Sequence, residues 1–409
     1  MQRHDGVYAQ IGTLIAATSG VQLANGFFGT VVALRVAETF AGGLAGLVLS
    51  AYFAGFTVGA VRSTAIILRI GHIRAYAAFA GIVVAATAVM PLWPSALAWA
   101  LLRALVGFGC AGIFVTTESW LHAKAPAAIR GRVFSTYMVG TFVALAAGQL
   151  LIARAPIDSF VAFNIIVALF AGALAMVSAT RAEPPRASAT DPLGYGTLLR
   201  AAPVAVTGCA LSGLLSAAFY ALAPAWMQGE GIGRTTIALF MLVAVLGGLA
   251  FQIPVGRLSD RFDRRLVLAV LSLLFAVTAV LLSILPHRLA VVLPAAALLG
   301  GAMSTLYPVC VAHAHDRMPA DRVIAVSANL ILISGIGSII GPMLGTTAMG
   351  WFGLDGLLYG MAAVALLIGA VALLARLGRA APLRLMRPFA ILAPDASPLA
   401  HDPRADEAS

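Results

Sequence analysis

Twelve apolar stretches, each long enough to cross a lipid bilayer, restrict the fold of this chain more than any other feature. A helix needs about 20 apolar residues to span the hydrocarbon core. Backbone groups at that depth must hydrogen-bond within their own segment, so each stretch is predicted to be helical. The predicted spans are 8–34, 41–68, 73–92, 97–121, 133–153, 159–180, 200–227, 235–256, 266–286, 289–314, 323–349 and 354–375.

The composition excludes a soluble protein. Hydrophobic residues make up 61% of the chain and charged residues only 10%, whereas soluble domains carry about 25% charged residues.

The three cysteines, Cys110, Cys209 and Cys310, lie in apolar stretches without the spacing of metal ligands, and we interpret them as packing residues. No phosphate-binding glycine loop and no catalytic triad spacing is evident, so we expect no cofactor, no metal and no enzymatic activity.

Basic residues are concentrated in alternate loops, and this asymmetry predicts an orientation. With the N-terminus in the cytoplasm, the cytoplasmic loops and both termini hold 20 of the 26 Lys and Arg residues. The outer loops hold only Arg35, Arg154, Arg234 and Arg288. We therefore expect a multi-pass protein with both termini cytoplasmic, and the net charge of +10 requires no nucleic acid partner.

The chain divides into two similar halves. A polar segment at 181–199, rich in proline, separates predicted bundles at 1–180 and 200–376, and the tail 377–409 is expected to be disordered. HAKAP at 122–126 is matched by HDRMP at 315–319. Such an internal repeat is typical of transporters built from two bundles.

Three motifs resemble those of the major facilitator superfamily. GRLSDRFDRR at 256–265 is similar to the signature loop after the second and eighth helices of that family. Arg103, followed by glycines in the fourth helix, resembles the family's fourth-helix arginine motif. The glycine-proline motif of antiporter members has its counterpart in Gly337, Gly341, Pro342 and Gly345.

Shorter matches resemble one branch, the YcaD-like group of bacterial transporters. They are RIGHIRAYA (69–77), ESWLHAKAP (118–126), RGRVFSTYM (130–138), AFYALAP (218–224) and VAHAHDR (311–317). The resemblance implies an all-α fold of two pseudo-symmetric six-helix bundles. It also implies a central cavity lined by helices 1, 4, 7 and 10, whose candidate residues here are Gln22, Asn25, Tyr220 and Tyr307.

The signature loop differs between the halves. Leu68 stands where the family places an aspartate, whereas Asp260 is present in the second half together with Arg257, Arg261 and Arg264. We expect an asymmetric cytoplasmic gate, in which Asp260 contacts the inner end of the eleventh helix and stabilises an outward-facing state.

Glu118 is the only acidic residue at membrane depth in the predicted spanning helices, and such residues are candidates for function. It either responds to protons or anchors a loop through Arg130, Arg132 or His122. His313, in the repeat-related helix, is the candidate second titrating site because histidine changes charge near neutral pH. A wetted helix end is the alternative for His313.

Arg103 lies 15 residues before Glu118, about 22 Å along a helix, so the two side chains are not expected to touch. It is a candidate for binding an anionic group on a solute, or it extends to the outer surface. Arg62 is expected to extend to the inner surface in the same way.

These features predict a monomeric secondary transporter of a small organic solute in a bacterial inner membrane. We expect alternating access, coupling to protons and a preference for efflux. The alternatives are an uncoupled facilitator or uptake carrier, and a membrane scaffold or sensor that does not transport. Two repeated gating loops argue against the scaffold, which has no need of them.

Overall fold

The computed structural model describes residues 2–126, 129–179, 194–319 and 322–378. Twelve helices in this part of the chain are long and apolar enough to cross a membrane, as the sequence predicts. Most of the linker 181–199, and the tail from 379, lie outside the described residues. The helices are α1 (Gln2–Thr39), α2 (Gly42–Ile70), α3 (His72–Val89), α4 (Ala96–Lys124), α5 (Arg130–Gln149), α6 (Phe160–Ser178), α7 (Tyr195–Ala201), α8 (Pro203–Gly229), α9 (Arg234–Arg261), α10 (Arg264–Ile284), α11 (Leu289–His315), α12 (Val323–Phe352) and α13 (Gly356–Gly378).

The long helices form two six-helix bundles, α1–α6 and α8–α13. In the first bundle α2 packs on α4 and α1 on α5, and the second repeats this pattern with α9 on α11 and α8 on α12. Between the bundles, α1 meets α8, α2 meets α12 and α5 meets α9. The predicted fold of two pseudo-symmetric six-helix bundles is confirmed.

Glycine residues allow the closest helix contacts. A side chain on Gly55 would collide with the backbone of Ala104, and one on Gly107 would collide with the carbonyl of Tyr52. Without a hydrophobic driving force between helices in lipid, such small residues permit the van der Waals packing that holds α2 against α4. In the second bundle Gly337 and Gly341 bring α12 against α8 in the same way.

The bundle has two chemically different ends. One end holds four turns, which connect α2 to α3, α4 to α5, α9 to α10 and α11 to α12. We call it the basic end because these turns are rich in arginine. Six turns lie at the opposite end. They connect α1 to α2, α3 to α4, α5 to α6, α8 to α9, α10 to α11 and α12 to α13.

Candidate functional site

Polar contacts join the two bundles at the opposite end. Arg234 at the start of α9 donates a hydrogen bond of 2.7 Å to the Asp158 carboxylate, which precedes α6. Gln228 of α8 donates one of 2.7 Å to Glu38 of α1. We call Glu38, Asp158, Gln228 and Arg234 the opposite-end latch. Sequence reasoning missed it, because nothing in the local pattern connects residues so distant in the chain.

Close packing of α2 against α12 continues this closure. Gly46, near the opposite end of α2, lies against Thr346, and Gly335 lies against Thr57 farther along both helices. A larger residue at either glycine would push the bundles apart. These contacts run from the opposite end toward the middle of the interface, so the structure is closed at that end.

Arg103 is held between two aromatic rings. Its guanidinium carbon lies 4.6 Å from the ring centre of Tyr52 in α2 and 5.4 Å from that of Phe28 in α1. Only 5% of the residue is exposed, and Nε has no hydrogen-bond partner among the described residues. Aromatic faces attract a cation at this distance, so Arg103 is enclosed within the first bundle and does not extend to the surface.

Three polar side chains meet next to this aromatic pair. Asn25 donates a hydrogen bond of 3.2 Å to Gln22 on α1, and the Cys110 thiol of α4 donates one of 3.5 Å to the Asn25 oxygen. Asn25 is half-buried and Gln22 is buried. The structure thus unites two predicted cavity residues with a cysteine that we had interpreted as packing alone.

The predicted cavity residues of the second bundle are placed on the corresponding helices. Tyr220 lies in α8 and Tyr307 in α11, and both are half-buried. Tyr220 packs edge-on against Phe219, with ring centres 5.4 Å apart. Both tyrosines pack against the hydrophobic core, in helices equivalent to α1 and α4.

Glu118 is fully buried in α4, at 0% exposure. The Tyr137 hydroxyl of α5 donates a hydrogen bond of 3.1 Å to Glu118 Oε1. The adjacent Thr117 hydroxyl lies 3.0 Å from that of Thr18 in α1. Glu118 is therefore held where α1, α4 and α5 meet.

The partners proposed for Glu118 from sequence were Arg130, Arg132 and His122. The His122 ring packs edge-on against Phe134, with ring centres 6.3 Å apart. The guanidinium of Arg130 lies 3.4 Å from the Ala125 carbonyl, and Arg132 is exposed. Tyr137, which sequence reasoning did not single out, donates a hydrogen bond to Glu118. It lies in the quoted segment 130–138, but nothing in that pattern marks which ring faces Glu118.

His313 is buried, with 5% exposure, near the basic end of α11. Its Nε2 has no hydrogen-bond partner among the described residues. His315, one half-turn on, lies 3.0 Å from the Ser327 hydroxyl of α12. The wetted helix end considered from sequence does not describe His313.

Arg264 fastens three helix ends in the second bundle. Its Nε donates a hydrogen bond of 2.7 Å to Asp316 at the end of α11, and its Nη1 donates one of 2.9 Å to Ser259 of α9. Asp260 lies 3.5 Å from the same guanidinium. The Arg264 and Arg265 side chains are 1% and 3% exposed, whereas Arg257 and Arg261 are exposed, so Arg264 and Arg265 are the buried cations of the signature loop.

Arg265 and Asp263 extend this network to α13. Asp263 caps α10 by accepting a hydrogen bond from the Arg265 backbone amide, and Arg265 donates to the Ala375 carbonyl at 2.8 Å. Burial acts to raise the pKa of Asp263, but the hydrogen bonds from Arg265 and the charges of Arg265 and Arg376 outweigh burial and lower the pKa below its usual value. The carboxylate is therefore stabilised by its surroundings.

The geometry changes how Asp260 is interpreted. The eleventh spanning helix is α12, which belongs to the same bundle as Asp260. Across the interface α9 instead packs against α5, and a described contact of Asp260 is with Arg264 in its own bundle. Contact of Asp260 with the eleventh helix would therefore stay within the second bundle and would not cross the interface.

Comparison with known proteins agrees with this architecture. The family model described as Major Facilitator Superfamily matches residues 14–250 and 204–388. The chain belongs to the major facilitator superfamily. An uncharacterized MFS-type transporter YcaD from Escherichia fergusonii is 31% identical over 323 residues, which cover 78% of this chain and 84% of the relative. Its counterpart in Shigella flexneri serotype 5b is 32% identical and covers 83% of this chain and 89% of the relative.

Solved members of this superfamily share the fold at low identity. A bacterial homolog of the human lysosomal transporter Spinster, in an inward-facing and unoccupied conformation, has a TM-score of 0.72 at 16% identity, covering 92% of this chain and 99% of the other. A D-xylose-proton symporter has a TM-score of 0.66 at 18% identity, covering 89% and 97%. These likenesses show the shared fold, while the family model and the YcaD relatives identify this chain, with its twelve membrane-spanning helices, as a transporter of the superfamily.

Proposed function

We propose that this transporter is a proton-coupled carrier of a small organic solute, working by alternating access in a bacterial inner membrane with efflux favoured. The observation that carries the proposal is Glu118, a fully buried carboxyl group that Tyr137 orients. The cost of ionising a buried carboxylate depends on the partners around it. Its protonation therefore depends on how the surrounding helices are arranged, as coupling requires.

The orientation places the basic end in the cytoplasm, because arginines accumulate there. Both termini are then cytoplasmic, with bundles at 1–180 and 200–376 joined by the cytoplasmic linker 181–199. In this orientation, closure by the opposite-end latch makes the described state inward-facing. The inward-facing Spinster homolog supports that assignment.

The coupling groups are assigned to both bundles. Glu118 carries the proton in the first bundle, and His313 responds in the second because it is buried in the repeat-related helix. Four arginines lie at or near the basic end: Arg130, Arg132, Arg257 and Arg261. When the helices rearrange, these charges move and alter the electrostatic surroundings of Glu118. A change in those surroundings supplies the differential free energy that a conformational switch needs.

The substrate is proposed to be an amphipathic organic molecule. The central helices α1, α4 and α8 are the most buried and are mainly apolar, which disfavours a sugar. Gln22, Asn25, Tyr220 and Tyr307 supply the few polar contacts, and Arg103 supplies a positive charge for an acidic group. A thermal-shift screen of the purified protein identifies candidates, because a true ligand stabilises the folded state by mass action.

Proteoliposomes with an imposed pH gradient test the coupling. We expect Glu118→Gln to abolish gradient-driven accumulation of the identified solute while downhill flux remains. Glu230→Gln, the same chemical change at an exposed site at the opposite end, should leave accumulation unchanged. Full accumulation by Glu118→Gln would exclude Glu118 as the proton carrier. A wild-type protein that ignores the gradient would instead be an uncoupled facilitator.

A further inference from the structure

An apolar groove with two arginines lies between α2 and α4 near the basic end. Its volume is about 470 Å³, and its lining comes from five residues of α2 and one of α4. They are Val58, Arg62, Ala65, Ile66, Arg69 and Phe108. Residues 58, 62, 65 and 69 recur at intervals of three and four, so they occupy one side of α2.

This side of α2 faces lipid. Val58 is exposed there, and Leu44 and Leu47 are exposed farther along the same helix. On α4, Leu97, Leu101 and Leu105 form an exposed apolar stripe that leads toward Phe108. Large apolar side chains exposed along spanning helices indicate contact with hydrocarbon rather than with a water-filled cavity.

Neither arginine has a described carboxylate partner in the part of the first bundle that runs from residue 42 to 179. Arg62 lies eight residues before the end of α2 at Ile70, about 12 Å in depth, where an unpaired guanidinium at a lipid-facing surface is costly. Within the described residues 42–179 the only acidic side chains are Glu118 and Asp158. Glu118 is buried against Tyr137, and Asp158 binds Arg234 at the opposite end.

The equivalent loop of the second bundle contains its own carboxylates. Asp260 and Asp316 contact Arg264, and Asp263 contacts Arg265. In the first bundle Leu68 occupies the position that corresponds to Asp260. The loop that follows Arg62 and Arg69 therefore lacks the carboxylates that its counterpart in the second bundle has.

We propose that this groove is a binding site for an anionic phospholipid of the cytoplasmic leaflet. Arg62 and Arg69 bind the phosphate, as arginine does through its fork of donors. One acyl chain lies along Val58, Ala65 and Phe108. Both the charge and the apolar length of such a lipid match the groove, which a soluble anion does not.

The test measures binding of phosphatidylglycerol to the full-length protein in detergent, by native mass spectrometry and by the shift in melting temperature. We expect phosphatidylglycerol to bind and phosphatidylcholine to bind much more weakly. Arg62→Gln/Arg69→Gln should weaken phosphatidylglycerol binding at least tenfold. Arg154→Gln/Arg288→Gln removes the same charge from exposed sites at the opposite end and should leave binding unchanged.

Two further arms separate the groove from charge alone. Ala65→Phe fills the groove while keeping both arginines and should also weaken binding; unchanged binding in this variant would overturn the proposal. Inorganic phosphate and glycerol phosphate should give no stabilisation, and an effect equal to that of phosphatidylglycerol would show that a soluble anion is the ligand. Tighter lipid binding after Asp402→Asn/Asp406→Asn/Glu407→Gln would mean that the chain's own acidic tail occupies the groove, which also contradicts the proposal.

Discussion

Arg234 and Asp158, 2.7 Å apart, join the second bundle to the first at the end of the molecule opposite the arginine-rich turns. The Arg35 guanidinium also donates to the Asp158 backbone carbonyl at 3.1 Å, so the turn before α6 is fixed from its own bundle. In the proposed alternating-access cycle, this pair separates each time the opposite end opens. A transporter closed at this end needs contacts that are specific but weak, and an exposed ion pair has that character.

Asp158→Asn is expected to shift the population toward the state open at the opposite end. The two side chains are 44% and 57% exposed, so the pair contributes about 0.2–1 kcal/mol. The ratio of the two states should therefore change by roughly fivefold at most. Spin labels on the two bundles at the opposite end, measured by distance spectroscopy, report the ratio.

The exchanged pair Asp158→Arg/Arg234→Asp is the control for this prediction. It restores opposite charges across the same interface and should return the distance distribution toward that of the unmodified protein. A distribution that Asp158→Asn leaves unchanged would show that Gln228, Glu38 and the contact of Gly46 with Thr346 suffice to hold this end closed.

The sequence predicts local features well and distant contacts poorly. The twelve helices follow from apolar length, and the two bundles follow from the repeat of 122–126 at 315–319. Glu118 stands out because a lone acid in an apolar helix is conspicuous without any structure. Its partner Tyr137 does not, because many aromatic residues in spanning helices only pack.

The same limit applies to the opposite-end latch and to Arg103. Asp158 and Arg234 are ordinary turn residues until the bundles are assembled. For Arg103, the sequence left extension to the surface open, since an arginine near a helix end often extends there. Only the crossing of α1 and α2 over α4 shows that Phe28 and Tyr52 enclose it.

Arg264→Gln should destabilise the second bundle strongly. It leaves the Asp316 carboxylate without this buried cation and frees Ser259, and breaking a buried pair costs about 3–5 kcal/mol. Thermal unfolding in detergent measures the loss. Arg261→Gln, in the same loop but exposed, should change the melting temperature little. Equal effects of the two variants would show that burial of Arg264 is unimportant.

Asp263 is expected to make stability depend on acid pH. Its folded-state pKa is lowered, so it stabilises the protein above its unfolded pKa of about 3.9, and this stabilisation is lost as pH falls through the lower folded value. Asp263→Asn should therefore melt earlier than the unmodified protein at neutral pH, with the difference shrinking below about pH 4. Glu230→Gln, at an exposed turn, should change the melting temperature little in the same series. A constant difference at all pH values would contradict this account.

Arg103 provides a test of whether its aromatic surroundings act through their ring faces. Tyr52→Phe keeps the ring 4.6 Å from the guanidinium carbon and should preserve stability, whereas Tyr52→Leu should lose about 0.5–2 kcal/mol. Arg103→Lys keeps the charge but not the planar group that stacks on both rings, so it should resemble Tyr52→Leu. Chemical unfolding of the purified variants gives these differences. Equal losses for Tyr52→Phe and Tyr52→Leu would assign the effect to the hydroxyl group.

Binding of an acidic solute from the thermal-shift screen gives a second test of Arg103. Arg103→Lys retains the charge that attracts an acidic group, whereas Arg103→Met removes it. If Arg103→Lys and Arg103→Met bind such a solute equally well, Arg103 stabilises the first bundle and takes no part in the substrate site.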